Sequence, residues 1–250
     1  HSMWNDDETP PNLSSTFSQR DKEEFLKTQA SNLSQIGIPT TVLLSSDRPA
    51  LDITHRASHG EVDFVIVGRR RESPYFGSVS RKLLRKCPCP LWVTKEGIQS
   101  PKSCILAATD MTSIGTKILE IACKFAIAGG ASLHVLHAWQ RSTELQLLHA
   151  QDSPQAIREE NKIQSEIETA ILDTVAMVST NITPILHVGC DSPSRSILDG
   201  VRALEPDLLI LGSVSRSGVP GLLLGNTAER VLDKVSCSVL TIKPDGWRWL

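Results

Sequence analysis

The sequence predicts an α/β protein: a tandem repeat of a doubly wound parallel-sheet unit whose first copy is incomplete. Three observations carry this expectation. Asp47, Pro49, Ile53, Asp63 and Gly68 recur 144 positions later as Asp191, Pro193, Ile197, Asp207 and Gly212. Gly77, Lys86, Cys89 and Lys95 recur 148 positions later as Gly225, Lys234, Cys237 and Lys243, so the first copy has four fewer residues between its two glycines. Within the second copy, short apolar runs alternate with stretches of helical periodicity, the pattern of parallel strands covered by helices on both faces. A chain of 250 residues, 40% hydrophobic and 22% charged, is long enough for two such cores.

The elements of the second copy follow in order. Cys104 to Ala108 form a first strand ending at Thr109-Asp110, where a buried strand meets its loop. Ile114, Ile118, Ile121, Ala122 and Phe125 then recur at helical spacing, and Gly129-Gly130 ends the helix. A second strand spans 133–139. Ser153 and Pro154 supply a cap and a first-turn proline for a long helix whose buried face is Ile157, Ile163, Ile167, Ile171, Val175 and Val178. A third strand is expected over 182–188. Asp191 or Ser192, with Pro193, opens a helix through Leu204, and 207–212 is a fourth strand ending in glycine. A helix over 226–235 and a last strand over 238–243 complete the unit.

The first copy is thinner. It opens with a segment rich in Asp, Pro and Ser, continues in a helix marked by Phe25, Leu26, Leu33 and Ile36, and then in a strand over 40–44. Strand one, with its acidic residue, has no counterpart. Eight residues, 69–76, stand where the second copy has twelve between Gly212 and Gly225, so the two loops cannot follow one path. Gly77-Ser78-Val79-Ser80 is retained, so the last helix should start normally.

Composition narrows the function classes. A net charge of −2, with no Lys/Arg run interleaved with aromatics, argues against a nucleic-acid partner. Arg69-Arg70-Arg71 is the sole basic cluster and reads as a solvated loop. The apolar runs are strand-length, too short to span a membrane. Cys87-Pro-Cys89 is too closely spaced for a Cys-x-x-Cys redox motif or a zinc ligand pair, and both cysteines read as buried strand-entry residues. No signal peptide is recognisable, and six cysteines are not needed to staple cores of this size, so a reducing cytoplasm is expected.

Ligands of doubly wound sheets bind beyond the strand C-termini where the strand order reverses. That rule points to Asp110, after strand one, and to the loop 212–227, after strand four. Gly212 and Gly225 carry no Cβ to obstruct a ligand, and the amides of Gly225, Asn226 and Thr227 open a helix whose N-terminus favours anions. Asp110 could accept hydrogen bonds from a ribose or a base. The plainer alternative is that Asp110, Asn226 and Thr227 only cap helices. His134, His137 and His187 sit on strands as core or pocket-wall residues. No P-loop, kinase catalytic loop or nucleophile elbow is present, so no residue is assigned to catalysis.

The loop resembles that of the universal stress protein family, whose ATP-binding members have Gly-x2-Gly-x9-Gly-(Ser/Thr/Asn) between strand four and the last helix. Here the pattern reads Gly212, Ser215 in place of the second glycine, then nine residues to Gly225-Asn226. The run Gly-Asn-Thr-Ala-Glu at 225–229 and the closing Ile242-Lys243-Pro244-Asp245-Gly246 look most like the tandem, UspE-type branch. The resemblance implies a Rossmann-like sheet of order 3-2-1-4-5. It places Asp110 on the adenosine side, Ala138 in the base pocket, Leu211, Gly212 and Ser215 at the loop, and Gly225, Asn226 and Thr227 at the phosphates. Ser215 departs from the pattern: its Cβ weakens the match if that position takes positive φ and leaves it intact if φ is negative. The cofactor implied is ATP, with or without Mg2+, in the second copy and none in the first.

The resemblance also implies domains at 1–99 and 100–246 with a tail at 247–250, the tail's Trp247 and Trp249 being packed. Single-domain relatives pair through their last strands, so an intramolecular pseudo-dimer is expected, joined near Leu91-Trp92-Val93 and Val239-Leu240-Thr241, with a further homodimer allowed. The order 3-2-1-4-5 would have a hole in the first copy. About forty residues upstream are expected to fill it, the estimate resting on typical βαβ lengths. The competing reading is a cloning scar, His-Ser-Met, ahead of a reduced domain. Three functions stay open: a non-catalytic ATP-binding regulator of the stress response, a scaffold or small-ligand carrier without nucleotide, and a slow ATPase or autokinase.

Overall fold

The computed structural model describes residues 18–45, 48–59, 62–69, 76–95, 103–141, 153–213 and 224–244. The first repeat contributes α1 (Gln19–Gln35), α2 (Pro49–Ser58), β1 (Val65–Gly68), α3 (Ser78–Lys86) and β2 (Leu91–Thr94). The second contributes β3 (Cys104–Ala108), α4 (Ser113–Gly129), β4 (Ser132–Trp139), α5 (Pro154–Val178), β5 (Ile185–Cys190), α6 (Pro193–Leu204), β6 (Leu208–Gly212), α7 (Asn226–Leu232) and β7 (Ser238–Ile242). Local chemistry sets the helix ends. Ser18 and Asp21 form a reciprocal capping box on α1. Ser153 accepts the Ala156 amide ahead of Pro154, and Gly130, at φ 60°, takes the left-handed position that closes α4.

The strands join into one seven-stranded sheet of order β1-β2-β7-β6-β3-β4-β5. Every neighbouring pair is parallel except β2 and β7, which run antiparallel with Leu91 opposite Thr241, Trp92 opposite Leu240 and Val93 opposite Val239. The second repeat thus shows the expected order 3-2-1-4-5, read as β5-β4-β3-β6-β7. Among the described residues, the first repeat supplies only strands four and five. At the join, the Thr241 hydroxyl donates to the Leu91 carbonyl at 3.3 Å, and the Lys95 amide donates to Ser238 Oγ at 3.0 Å. Trp92 meets Phe64 and Phe125 edge-on, at centroid distances of 6.3 and 5.4 Å.

Helices α2, α3, α6 and α7 bury one face of the sheet, around Leu83, Leu84, Leu91, Leu209 and Val231, and α4 and α5 bury the other, around Ile118, Leu119, Val135, Ile171 and Ile210. The coverage of the second face stops at the first repeat. Ile210 on β6 is fully buried, whereas Ile66, its counterpart on β1, is 56% exposed. No residue of α1 is buried.

Three expectations need correction. Residues 40–44 form no strand. In the second repeat the third strand pairs only with the second, as β5 does with β4, and the described residues of the first repeat contain no counterpart of strands one and two. The third strand of the second repeat starts at Ile185 and not at 182, because Pro184 has no amide to donate to a ladder. Arg69 is not a solvated loop residue: its Nη1 donates to the Val235 carbonyl at 3.0 Å and its guanidinium lies 5.4 Å from the Phe76 ring centroid. Arg70, Arg71 and the tail at 247–250 lie outside the described residues. Of the described helices, none is long and apolar enough to cross a membrane.

Candidate functional site

The C-terminal ends of β3 and β6 diverge at the switch point of the second repeat, and a cleft of roughly 740 Å³ opens there. Asp110, Ala138, Leu211, Gly212, Gly225, Asn226 and Thr227 all line it. Ser215, the remaining site expectation, lies outside the described residues. Seven positions spread over more than a hundred residues converge because parallel strands all end on one side of the sheet.

A tight turn brings Asp110 to the rim. Thr109 extends the β3–β4 ladder through its amide to the Leu136 carbonyl at 3.0 Å, and its Oγ1 accepts the Met111 amide at 3.2 Å. Met111 adopts φ 58°, a conformation unfavourable for a residue with a Cβ, and this sharp reversal leads directly into α4. Asp110 Oδ1 accepts from the Thr112 amide at 3.1 Å and the Thr112 hydroxyl at 2.6 Å. Asp110 therefore braces the turn ahead of α4, whose N-cap Thr112 makes no side-chain cap bond, and it lines the cleft as well.

The glycines act differently from expectation. A Cβ on Gly212 would meet Ile114 Cγ2 at 3.3 Å and Ile118 Cδ1 at 3.8 Å, so this glycine lets α4 lie close to β6. Gly225 has φ −74°, which any residue adopts, and its amide donates to the Ser213 carbonyl at 2.8 Å. That bond closes the two ends of the long loop, with Ser213 itself fully buried and its amide on the Ile242 carbonyl at 3.1 Å. The amides left to meet a ligand are those of Asn226 and Thr227, in the first turn of α7, where no intrahelical carbonyl reaches them.

His137, read from the sequence as a core or pocket-wall residue, lines the cleft, while three further residues that shape it escaped the sequence reading. His137 is buried, and its Nδ1 donates to the Thr109 carbonyl at 3.0 Å. Trp139 borders the cleft, and its indole Nε1 finds no partner among the described residues. Arg230, one turn into α7, is the sole cation among the described lining residues. Gly115 is hidden in the helical pattern of α4, yet a Cβ there would stand 2.5 Å from Thr109 Oγ1. Only the pairing of strand ends with helix starts in three dimensions identifies Trp139, Arg230 and Gly115.

His134 and His187 are not part of the cleft lining. Their rings stack at 5.3 Å, with Nδ1 and Nε2 3.0 Å apart, and burial pulls both below the usual histidine range. Among the described residues no three His, Cys, Asp or Glu side chains gather as a metal site.

The profile of the universal stress protein family matches this chain twice, over residues 4–95 and 104–243. Universal stress protein E of Photorhabdus laumondii is 25% identical over 238 residues, covering 89% of this chain and 75% of that protein. Its Escherichia coli K12 namesake is also 25% identical over 238 residues, at 90% and 74% coverage. Among solved structures, a functionally unknown protein from Pseudomonas aeruginosa PAO1 aligns with a TM-score of 0.68 at 24% identity, over 92% of this chain and 80% of that one. A universal stress protein from Archaeoglobus fulgidus aligns at 0.60 and 21% identity, over 92% and 84%. At these identities the solved structures speak for the shared fold alone.

Proposed function

This chain belongs to the universal stress protein family, as a tandem member of the universal stress protein E type, and on that premise we propose that it is a non-catalytic, ATP-binding regulator of the stress response. Its one nucleotide site is in the second repeat. The observation that carries the reading is the cleft at the β3/β6 switch point, whose volume falls in the range of small-ligand pockets.

The lining fits the chemistry of a nucleoside phosphate. Ala138, Ile197 and Leu211 offer an apolar wall for a base, and Asp110 a carboxylate for ribose or base donors. Asn226, Thr227 and Arg230 offer amides, a hydroxyl and a positive charge for phosphates. A magnesium ion would arrive on the phosphates, since this cation keeps most of its waters and needs few protein ligands. Bound ATP would stabilise the occupied conformation by mass action, and the output is conformational or associative. We take 1–99 and 100–246 as the two domains, 247–250 as a tail, and the cytoplasm as the location. The antiparallel β2–β7 join supports an intramolecular pseudo-dimer of the repeats.

One observation favours the second reading, a scaffold or carrier without nucleotide: the Gly225 amide is already donated to Ser213. Native mass spectrometry with added ATP separates the two. One adenine nucleotide per chain, abolished by Gly225→Val, supports the proposal. No nucleotide at millimolar ATP overturns it in favour of the carrier.

A further inference from the structure

Cys87 and Cys89 flank Pro88 in the turn from α3 into β2, and their Sγ atoms stand 3.5 Å apart in a thiol–thiol hydrogen bond. Both thiols are free and buried, Cys87 completely and Cys89 at 9% exposure. The spacing excluded a Cys-x-x-Cys motif, yet one intervening proline still brings the sulfurs together. Beside them lies a buried cation. Lys243, just past the end of β7, is 2% exposed, and its Nζ donates to the Leu84 carbonyl in the last turn of α3 at 3.1 Å. Its counterpart in the first repeat, Lys95, is exposed.

A buried ammonium needs compensation, and the carbonyl at the end of α3 supplies part of it. Lys243 also interacts electrostatically with the two thiols. Burial pulls the lysine down to about 8, a cost that a nearby negative charge would offset. The hydrogen bond from the Cys89 thiol, aided by Lys243, lowers the Cys87 thiol, and the same bond raises Cys89. One sulfur is thereby prepared to ionise and its neighbour kept as the protonated donor. That division of roles suits an attacking thiolate and a resolving thiol.

We propose that Cys87 and Cys89, with Lys243 as a positioning charge, form a peroxide-sensitive dithiol that closes to an intramolecular disulfide at the junction of the two repeats. The Cys87 thiolate attacks one oxygen of hydrogen peroxide, forming an S–O bond and breaking the O–O bond. The departing hydroxide takes up the proton that Cys87 released on ionising. The Cys89 thiol then attacks the sulfenic sulfur, forming the S–S bond and breaking S–O, and water leaves with the Cys89 proton. The pair loses two electrons, and peroxide is reduced to two waters. Moving from 3.5 Å to the about 2 Å of a disulfide asks for side-chain rotation in the turn. Peroxide is little larger than water, and Cys89, at 9% exposure, is the sulfur of the pair nearer to solvent.

The full reduced chain is treated with hydrogen peroxide, denatured, alkylated and digested with trypsin, which cuts at Lys86 and Lys95 and leaves both cysteines in one peptide. That peptide should appear unalkylated and short of two hydrogens, about tenfold sooner than Cys123 or Cys237 is oxidised, although those thiols are comparably buried. In Cys89→Ser, Cys87 should stop at a sulfenic acid that dimedone traps. In Lys243→Met, oxidation at Cys87 should slow about tenfold while exposed Cys190 reacts as before. Full alkylation of both cysteines at a peroxide dose that converts Cys190 would overturn the proposal, with no variant needed to see it. An unchanged Cys87 rate in a folded Lys243→Met protein would overturn the role of the lysine.

Discussion

Gly115→Ala tests whether the turn at the cleft depends on the close approach of α4. The new Cβ would stand 2.5 Å from Thr109 Oγ1, 3.0 Å from Asp110 Oδ1 and 3.2 Å from the Asp110 amide nitrogen. None of these atoms is free to retreat. Thr109 is 6% exposed and its Oγ1 holds the Met111 amide, while Asp110 Oδ1 holds Thr112. Overpacking a tight site costs about 1–3 kcal/mol, and a displaced hydrogen bond adds about 1 kcal/mol. Alanine over glycine in a helix returns at most about 1 kcal/mol, and less in the first turn, where Gly115 lies. The expected net loss is about 2 kcal/mol, or a fall in Tm of about 4–8 °C for a chain of this size.

Thermal or urea unfolding of the single and double variants decides the matter through a cycle with Thr109→Ala. Removing the Thr109 hydroxyl takes away the worst contact. Gly115→Ala should then change stability by less than about 0.5 kcal/mol, a coupling of well over 1 kcal/mol between the two sites. An equal loss in both backgrounds would mean that the clash with Thr109 is not the cause. A rise in Tm on Gly115→Ala alone would refute the reasoning outright.

Two further outcomes follow from the same geometry. Burial lowers both His134 and His187 in the folded protein, so as pH falls through the unfolded value the unfolded chain takes up protons first. Urea midpoints should therefore be flat from pH 8 to about 6.5 and decline below it, and the His134→Gln/His187→Gln variant should lose part of that decline; an unchanged profile would remove the pair from the account. The second repeat expressed alone, as residues 103–250, leaves β7 without β2 along its edge. It should dimerise through β7 in sedimentation or size-exclusion measurements, and a monomer at high micromolar concentration would contradict the reading of the join.

The second repeat was legible nearly to its ends because its signals are local. Continuous apolar runs mark strands buried on both faces, and Ser153-Pro154 and Gly129-Gly130 punctuate the helices that cover them. The family resemblance supplied the strand order, and the rule that ligands bind beyond strand ends then pointed to Asp110 and Gly225. Gly115 was not legible, since its meaning is the distance to a threonine six residues earlier across a turn. Residues 40–44 misled because their composition suits a strand, and a strand exists only where a partner supplies its hydrogen bonds.

The pairs related by the repeat show most clearly where the sequence stops. By itself it determined that one α/β unit occurs twice, that the second copy alone keeps a long glycine loop, and which strand ends frame the cleft. Those are properties of periodicity and spacing. Only the tertiary structure decided that Ile210 is fully buried while Ile66 is 56% exposed, because α4 covers one and no helix of the described residues covers the other. It alone decided that Lys243 is buried against α3 and beside two thiols while Lys95 faces outward. Identical residues at equivalent positions diverge because each copy packs against different neighbours, and burial is a property of the neighbour.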